Sequence, residues 1–217
     1  VLTSAVAQVA TRMGVGPCET FVSHRSRNAC AVEPGDPARV VVGVNLTSYG
    51  AGRRRFEIGR ALGRVIGGSI LFNKVPRREL PALLSAIIGA TVKGYNRMGD
   101  PDEVYELTRR VARAFPRKLK KQIEATARRT AAATLPDIDA WIAASEASND
   151  RCGLLAFADI ASALDAVRSR DETRGAIQHE TTDNKLAALR GYTPAEQLVR
   201  YWLSPRFEQA LAQMGTP

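Results

Sequence analysis

The spacing of hydrophobic residues changes from strand-like to helix-like about a quarter of the way along the chain. A short helix is predicted at residues 4–13, and three short β-type runs follow it, at residues 19–23, 29–33 and 39–44. The Pro-Gly-Asp-Pro sequence at 34–37 separates the last two runs and is a strong turn signal. Beyond the runs, apolar positions recur every three or four residues. The pattern predicts an α+β fold, predominantly α, with a small N-terminal antiparallel sheet followed by a helical bundle.

The first long helical pattern follows these runs and places its apolar side chains on one face. Those side chains are Phe56, Leu62, Val65, Ile66 and Ile70. Arg60 and Arg64 are four positions apart, so they project from the same side of the helix, one turn above the other. Gly63, Gly67 and Gly68 fall inside the same pattern, and we expect these small residues to allow a neighbouring element to come close.

The rest of the chain is predicted to form further helices. They are expected to start near Pro76, Asp100, Pro116, Leu135 and Asn149. The last of them, 151–168, is apolar nearly all round, which is typical of a buried helix. Thr193 begins a capping-box sequence and predicts the start of another helix. We expect a single domain, 1–217, whose parts are an α/β portion at 1–72, a helical portion at 73–168, a mobile loop or weakly held helix at 169–192, and C-terminal helices at 193–217.

The composition limits the function classes without selecting one. The chain has 217 residues, 45% of them hydrophobic, which is enough for a sizeable core. It contains no apolar run of eighteen residues, so no membrane-spanning helix is predicted, and a signal peptide is not expected either. The net charge of +9 is compatible with binding to nucleic acid, anionic lipid or an acidic protein.

Positive charge is densest in the middle of the chain. The residues concerned are Arg109, Arg110, Arg113, Arg117, Lys118, Lys120, Lys121, Arg128 and Arg129. One interpretation is a nucleic-acid-binding face. The other is an ordinary solvated helix face, which the absence of interleaved aromatic residues favours.

The cysteines and histidines give little support for a metal or redox site. Cys18, Cys30 and Cys152 form an odd, scattered set without C-x-x-C spacing, which suits free thiols in a reducing cytoplasm; a Cys18–Cys30 bridge is the alternative. His24 and His179 have no carboxylate cluster at ligand spacing, so we expect surface histidines. No metal, no cofactor and no catalytic residue is predicted.

The helix that carries the two arginines resembles a zinc metallopeptidase helix. Its sequence, F-x-I-G-R-A-L-G-R, is similar to F-x-x-G-H-E-L-G-H, in which both His bind zinc and the Glu is the general base. Arg60 and Arg64 stand at the His positions and Ala61 at the Glu position. A guanidinium has no lone pair for a metal, and a methyl group cannot take a proton from water. The resemblance, which covers about residues 19–68, implies a zincin-like fold without metal or hydrolase activity.

Three interpretations of the arginine pair remain open at this point. In the first, both line the former active-site groove and bind an anion or a carboxylate of a partner. In the second, they pair with acids of the same domain, such as Glu57 or Glu79. In the third, they point into solvent.

The helical half resembles the C-terminal region of large bacterial tetratricopeptide-repeat proteins. The matching segments are Pro76-Arg77-Arg78-Glu79-Leu80, Phe115-Pro116-Arg117-Lys118, Trp141, Asp150-Arg151-Cys152-Gly153-Leu154-Leu155 and Leu203-Ser204-Pro205-Arg206-Phe207. This resemblance implies a docking or regulatory module beside the repeats. The expected function is therefore a catalytically inactive, metallopeptidase-like domain that binds another protein. A basic nucleic-acid-binding domain is the alternative, and an enzyme with an unrecognised site is the third hypothesis.

Overall fold

A computed structural model describes residues 1–28, 30–134, 137–171 and 181–214. Its contacts group the chain into two compact units, one formed by Val1–Ile70 with Ala143–Pro217 and the other by Leu71–Ile142. The described part contains three strands and ten α-helices. The predicted fold class, α+β and predominantly α, is confirmed.

The elements follow the order expected from the sequence, with a short helix first, then the strands and then the remaining helices. In chain order they are α1 (Leu2–Arg12), β1 (Cys18–Ser23), β2 (Cys30–Glu33), β3 (Ala38–Gly43), α2 (Ala51–Ile66), α3 (Leu80–Gly89), α4 (Pro101–Ala114), α5 (Arg117–Ala132), α6 (Ile138–Phe157), α7 (Ile160–Arg168), α8 (Thr182–Leu189), α9 (Thr193–Trp202) and α10 (Pro205–Met214). Among these helices, none combines the length and the apolar character that crossing a membrane requires.

The three-stranded sheet of the first unit has the order β1-β3-β2 and is mixed. β2 and β3 form the expected antiparallel pair, with Cys30 opposite Val42. β1 lies parallel to β3, with Cys18 opposite Ala38. The prediction of a wholly antiparallel sheet was therefore wrong. The chain reverses direction twice between β1 and β3, so β1 becomes parallel to its neighbour because it pairs with β3 and not with β2.

α1 and α2 pack with this sheet around one hydrophobic core. Val6 and Val9 of α1, Val40 of β3, and Ile58 and Leu62 of α2 are all within 1% of complete burial. The helical periodicity of α2 accounts for this arrangement, because apolar residues recur every three or four positions and so lie on the same face of the helix.

The other side of α2 contributes to a second core with the C-terminal helices. Phe56 is 1% exposed and packs in a cluster with Leu154, Val167, Leu198 and Phe207. α2 therefore has buried residues toward the sheet and toward the later helices. This double packing explains why so many of its positions, small ones included, are inaccessible to solvent.

α6 and α7 replace the single helix predicted over 151–168. Ala158 has a φ of 58° and ends the helical geometry between them. Asp159 then caps α7, because its carboxylate accepts hydrogen bonds from the backbone N–H groups of Ala161 at 3.0 Å and Ser162 at 3.3 Å. The start expected near Asn149 was also wrong, since α6 runs through that position.

The second unit contains α3, α4 and α5. Asp100 caps α4 by accepting from the N–H groups of Asp102 and Glu103, and Pro116 precedes α5, as predicted. The rings of Phe72 and Trp141 meet edge to face with their centroids 4.7 Å apart. The helix start expected at Leu135 lies outside the described residues.

Only part of the stretch 169–192, predicted to be a mobile loop or a weakly held helix, can be compared with the structure. Residues 172–180, which include His179, lie outside the described residues. Beyond them, α8 is helical from Thr182 to Leu189, and the hydroxyl of Thr181 accepts a hydrogen bond from the N–H of Asn184 at its start. A helix therefore occupies much of the second half of this stretch.

Candidate functional site

The candidate site lies where α2 faces α6, within the first unit. Arg60 and Arg64 occupy successive turns of α2, and their side chains are only 14% and 8% exposed. Neither side chain points into solvent, so the third interpretation of the pair was wrong. Burying two guanidinium groups is costly unless carboxylates compensate them.

Two acids of α6, Glu146 and Asp150, supply that compensation. Arg60 donates from Nε to Asp150 Oδ1 at 2.7 Å and from Nη2 to Glu146 Oε2. Arg64 Nη2 lies 3.6 Å from the other carboxylate oxygen of the same residue, Glu146 Oε1. The structure therefore supports pairing within the domain, but the partners differ from the acids named from the sequence. Glu57, one of those acids, influences the pair only through its charge.

Arg170, just beyond α7, adds a third guanidinium to this network. Its Nη1 donates to Asp150 Oδ1 at 2.8 Å, and its Cζ lies 5.5 Å from the ring centroid of Phe56. The side chain of Asp150 is 6% exposed and is shared between Arg60 and Arg170. Three helical regions of the first unit are thus connected through two carboxylates.

The pKa shifts reflect how unevenly the charges are compensated. Burial lowers the pKa of Arg64, and the nearby charge of Arg60 lowers it further. Burial also acts to lower the pKa of Arg60, but Asp150 and Glu146 outweigh it, so the pKa of Arg60 is raised. Burial raises the pKa of the neighbouring Cys30 thiol to about 12, and Glu57 adds to the rise. Arg60 is the better compensated arginine.

Glycines allow α2 and α6 to come close enough for these contacts. A Cβ at Gly59 would overlap Ala156, and one at Gly63 would lie 2.8 Å from Cys152 Cβ. Both glycines therefore lie at a close helix contact. Gly67 and Gly68 differ from the prediction, because α2 ends at Ile66 and Gly68 has a φ of +62°, which suits a helix end.

The donor set at this site does not fit a zinc ion. Arg60 and Arg64 present N–H groups and no lone pairs, and Ala61 is fully buried with no proton acceptor. The described residues hold no cluster of three metal-ligating side chains. His24 is exposed, as expected of a surface histidine, and the three cysteines are free thiols.

The predicted basic face lies on α4 and α5 of the second unit, both of which pack against α3. Arg109 pairs with Glu106 at 3.3 Å and Arg128 with Glu124 at 2.8 Å, while Lys120 donates to a backbone carbonyl. Arg129 lies 3.5 Å from a threonine hydroxyl. Five further members are exposed and have neither a carboxylate partner nor another side-chain hydrogen bond among the described residues: Arg110, Arg113, Arg117, Lys118 and Lys121.

Glu146, Asp150 and Arg170 were missed as site residues from the sequence. The available signal was the i, i+4 spacing of the two acids, which matches the spacing of Arg60 and Arg64. A search of protein-family models, one of curated proteins and one of solved structures each found no match to this chain. The resemblance to zinc metallopeptidases stays a prediction that rests on residues of the chain itself.

Proposed function

We propose that this chain is a non-catalytic, zincin-like domain that acts by binding another protein. One observation carries the first half of the proposal: Arg60 and Arg64, at the two positions of the zinc-binding histidines, share a single carboxylate, that of Glu146. Ala61 stands where the general base would be, so a water molecule would find no proton acceptor there.

Glu146 lies where the third zinc ligand of a lost metal site would be expected. Catalytic zinc commonly has three protein ligands, and two histidines with one glutamate are a known set. Glu146 comes from a different helix and contacts both former histidine positions. Two guanidinium charges can balance Glu146 and Asp150 in place of a divalent cation. The acids are therefore retained as the structural partners of the arginines.

The second half of the proposal concerns the setting of the domain. The resemblance of the helical segments to the C-terminal regions of bacterial tetratricopeptide-repeat proteins supports a module that docks on such repeats. Three free cysteines support a reducing compartment, and we propose the cytoplasm. Mixing the chain with the repeats of the same polypeptide should give a saturable complex in a calorimetric titration. A parent polypeptide without repeats, or no measurable complex, would contradict this half.

The first half is tested by rebuilding the metal site. The triple variant Arg60→His, Ala61→Glu, Arg64→His should bind one zinc ion per chain after dialysis, whereas the wild-type chain should bind none. Adding Glu146→Gln to the triple variant should weaken zinc binding at least tenfold, because it removes the third ligand. A folded triple variant that binds no zinc would overturn the proposed zincin-like site, and stoichiometric zinc on the wild-type chain would do the same.

Polyanion binding through the second unit is the second candidate function. The second unit, Leu71–Ile142, contains 14 of the 31 Lys and Arg residues but only 8 of the 22 Asp and Glu residues. It therefore carries a net charge of +6 out of the +9 of the whole chain. The five unpaired cations of α4 and α5 favour it. The affinity for duplex DNA should then fall steeply as the salt concentration rises. The double variant Arg113→Gln, Lys121→Gln should reduce the slope of log affinity against log salt concentration by about two. A slope that the double variant leaves unchanged would rule out this face.

A further inference from the structure

A small groove on the surface of the first unit, separate from the Arg60 network, collects arginines from three helices. Its volume is about 310 Å³. The described residues that line it are Arg151, Gln197, Arg200, Tyr201, Ser204 and Arg206. Arg151 belongs to α6, Arg200 to α9 and Arg206 to α10, so three helices each contribute one positively charged residue to the lining.

Among the described residues, no carboxylate lies within ion-pair distance of these three guanidinium groups. The lining contains no acid, and none of the three arginines forms an ion pair within the part of the chain that the structure describes. Asp150, next to Arg151 in sequence, is engaged by Arg60 and Arg170. Three like charges at one groove repel each other, so an anion placed among them would be strongly favoured.

Tyr201 contacts one of the three arginines, and Gln197 adds hydrogen-bond donors. Arg151 Cζ lies 5.3 Å from the ring centroid of Tyr201, within the range of a cation–π contact. The Ser204 hydroxyl donates to the carbonyl oxygen of Tyr201 at 2.6 Å, which holds the corner between α9 and α10. Gln197 can supply side-chain N–H groups to a ligand. The groove therefore offers guanidinium and amide N–H donors and no carboxylate acceptor.

We propose that this groove binds a phosphate monoester group. A phosphoryl group carries between one and a half and two negative charges near pH 7 and has three acceptor oxygens, which suits several guanidinium donors better than a singly charged carboxylate does. Nucleic-acid strands are bound along extended cationic tracks, whereas these arginines meet at one compact groove. The phosphoryl group comes either from a phosphorylated protein side chain or from a small phosphorylated molecule.

Two motifs of unassigned chemistry meet at this groove. Arg151 lies in the segment 150–155 and Arg206 in the segment 203–207, two of the segments that resemble tetratricopeptide-repeat proteins. Trp202 and Leu203, between two lining residues, are 39% and 70% exposed.

The test is an NMR titration of the full ¹⁵N-labelled chain with inorganic phosphate at constant ionic strength. Saturable shifts should be confined to amides near Arg151 and residues 197–207. Arg200→Gln should weaken binding about tenfold, because it removes a charged hydrogen bond. Arg117→Gln, which removes one exposed charge from the second unit, should leave the affinity unchanged. Absence of saturation by about 100 mM, or an equal effect of both variants, would overturn the proposal.

Further ligands identify the source of the phosphoryl group. A phosphoserine peptide that binds more than tenfold tighter than inorganic phosphate assigns the groove to protein segments, and equal affinities assign it to small molecules. Peptide affinity should fall several-fold between pH 7.5 and 5, as the phosphate becomes singly charged. Tighter binding of single-stranded nucleic acid that Arg200→Gln abolishes would overturn the monoester proposal. Since the groove shares no residue with the Arg60 network, these results do not depend on the zinc test.

Discussion

Arg60 and Arg64 contact opposite oxygens of one carboxylate, that of Glu146. The arrangement joins two turns of α2 to one turn of α6. The strength of these ion pairs depends on how well they are shielded from solvent. The side chains of Arg60 and Arg64 are 14% and 8% exposed, and that of Glu146 is 33% exposed. Removing one partner from a shielded ion pair therefore costs much more stability than removing one from a surface pair, because the other charge is left uncompensated.

Glu146→Gln should destabilise the chain by about 2–4 kcal/mol, because it leaves Arg64 without a counter-charge and Arg60 with Asp150 alone. Urea unfolding followed by circular dichroism measures the change. The matched control is Glu124→Gln, which breaks the exposed pair with Arg128 and should cost less than about 1 kcal/mol. Equal losses for the two variants would mean that burial of the network contributes nothing.

Gly59→Ala should destabilise the chain by about 1–3 kcal/mol even though alanine favours helices, because the new methyl group would overlap Ala156. Adding Ala156→Gly should recover much of the loss by restoring the space. Gly67→Ala is the control: its φ of −82° is ordinary for alanine, so stability should stay within about 1 kcal/mol of wild type. Thermal unfolding compares all four proteins. A double variant no more stable than Gly59→Ala would argue against a direct helix contact.

Cys30 should make the stability of the chain depend on alkaline pH. Its folded pKa, about 12, is above the ordinary 9.0, so its contribution is complete below pH 9 and is lost as pH rises from 9 toward 12. At pH 10 the expected loss relative to pH 8 is about 1.4 kcal/mol. Unfolding free energies at the two pH values, compared between wild type and Cys30→Ala, isolate this contribution. An identical pH dependence in both proteins would contradict the buried thiol.

Ala158→Gly should stabilise the chain by about 0.5–1 kcal/mol. Ala158 has a φ of 58°, a backbone conformation that costs a non-glycine residue about 1–2 kcal/mol and that glycine adopts freely. The greater conformational entropy of glycine in the unfolded chain offsets part of this gain. Asp159→Ala should act in the opposite direction by about 1 kcal/mol, because it removes the cap of α7. Denaturant midpoints measure both variants. Destabilisation by the glycine would show that the break between α6 and α7 carries no local strain.

Local features of the fold followed from the sequence. The one-sided periodicity of α2, the cap at Asp100 and the turn at 34–37 each depend on residues a few positions apart, and each predicted its element correctly. The break at Ala158 was missed because a continuous apolar run concealed the cap at Asp159.

Features that depend on distant residues could not be predicted in the same way. The parallel pairing of β1 with β3 is decided by which edge of the hairpin is available, and the local pattern is the same for either choice. The partners of Arg60 lie 86 and 90 residues away on α6. Four-residue spacing indicates which side chains share a helix face but not which helix faces them.

The equal spacing of the two arginines on α2 and the two acids on α6 makes the network sensitive to length as well as to chemistry. Each residue of an α-helix turns the chain by about 100°. An insertion or deletion of one residue between Arg60 and Arg64, or between Glu146 and Asp150, would swing one charge to another side of its helix while its neighbour stayed in place. Single-residue changes in helix length at these points should therefore be tolerated far less well than substitutions on the exposed faces.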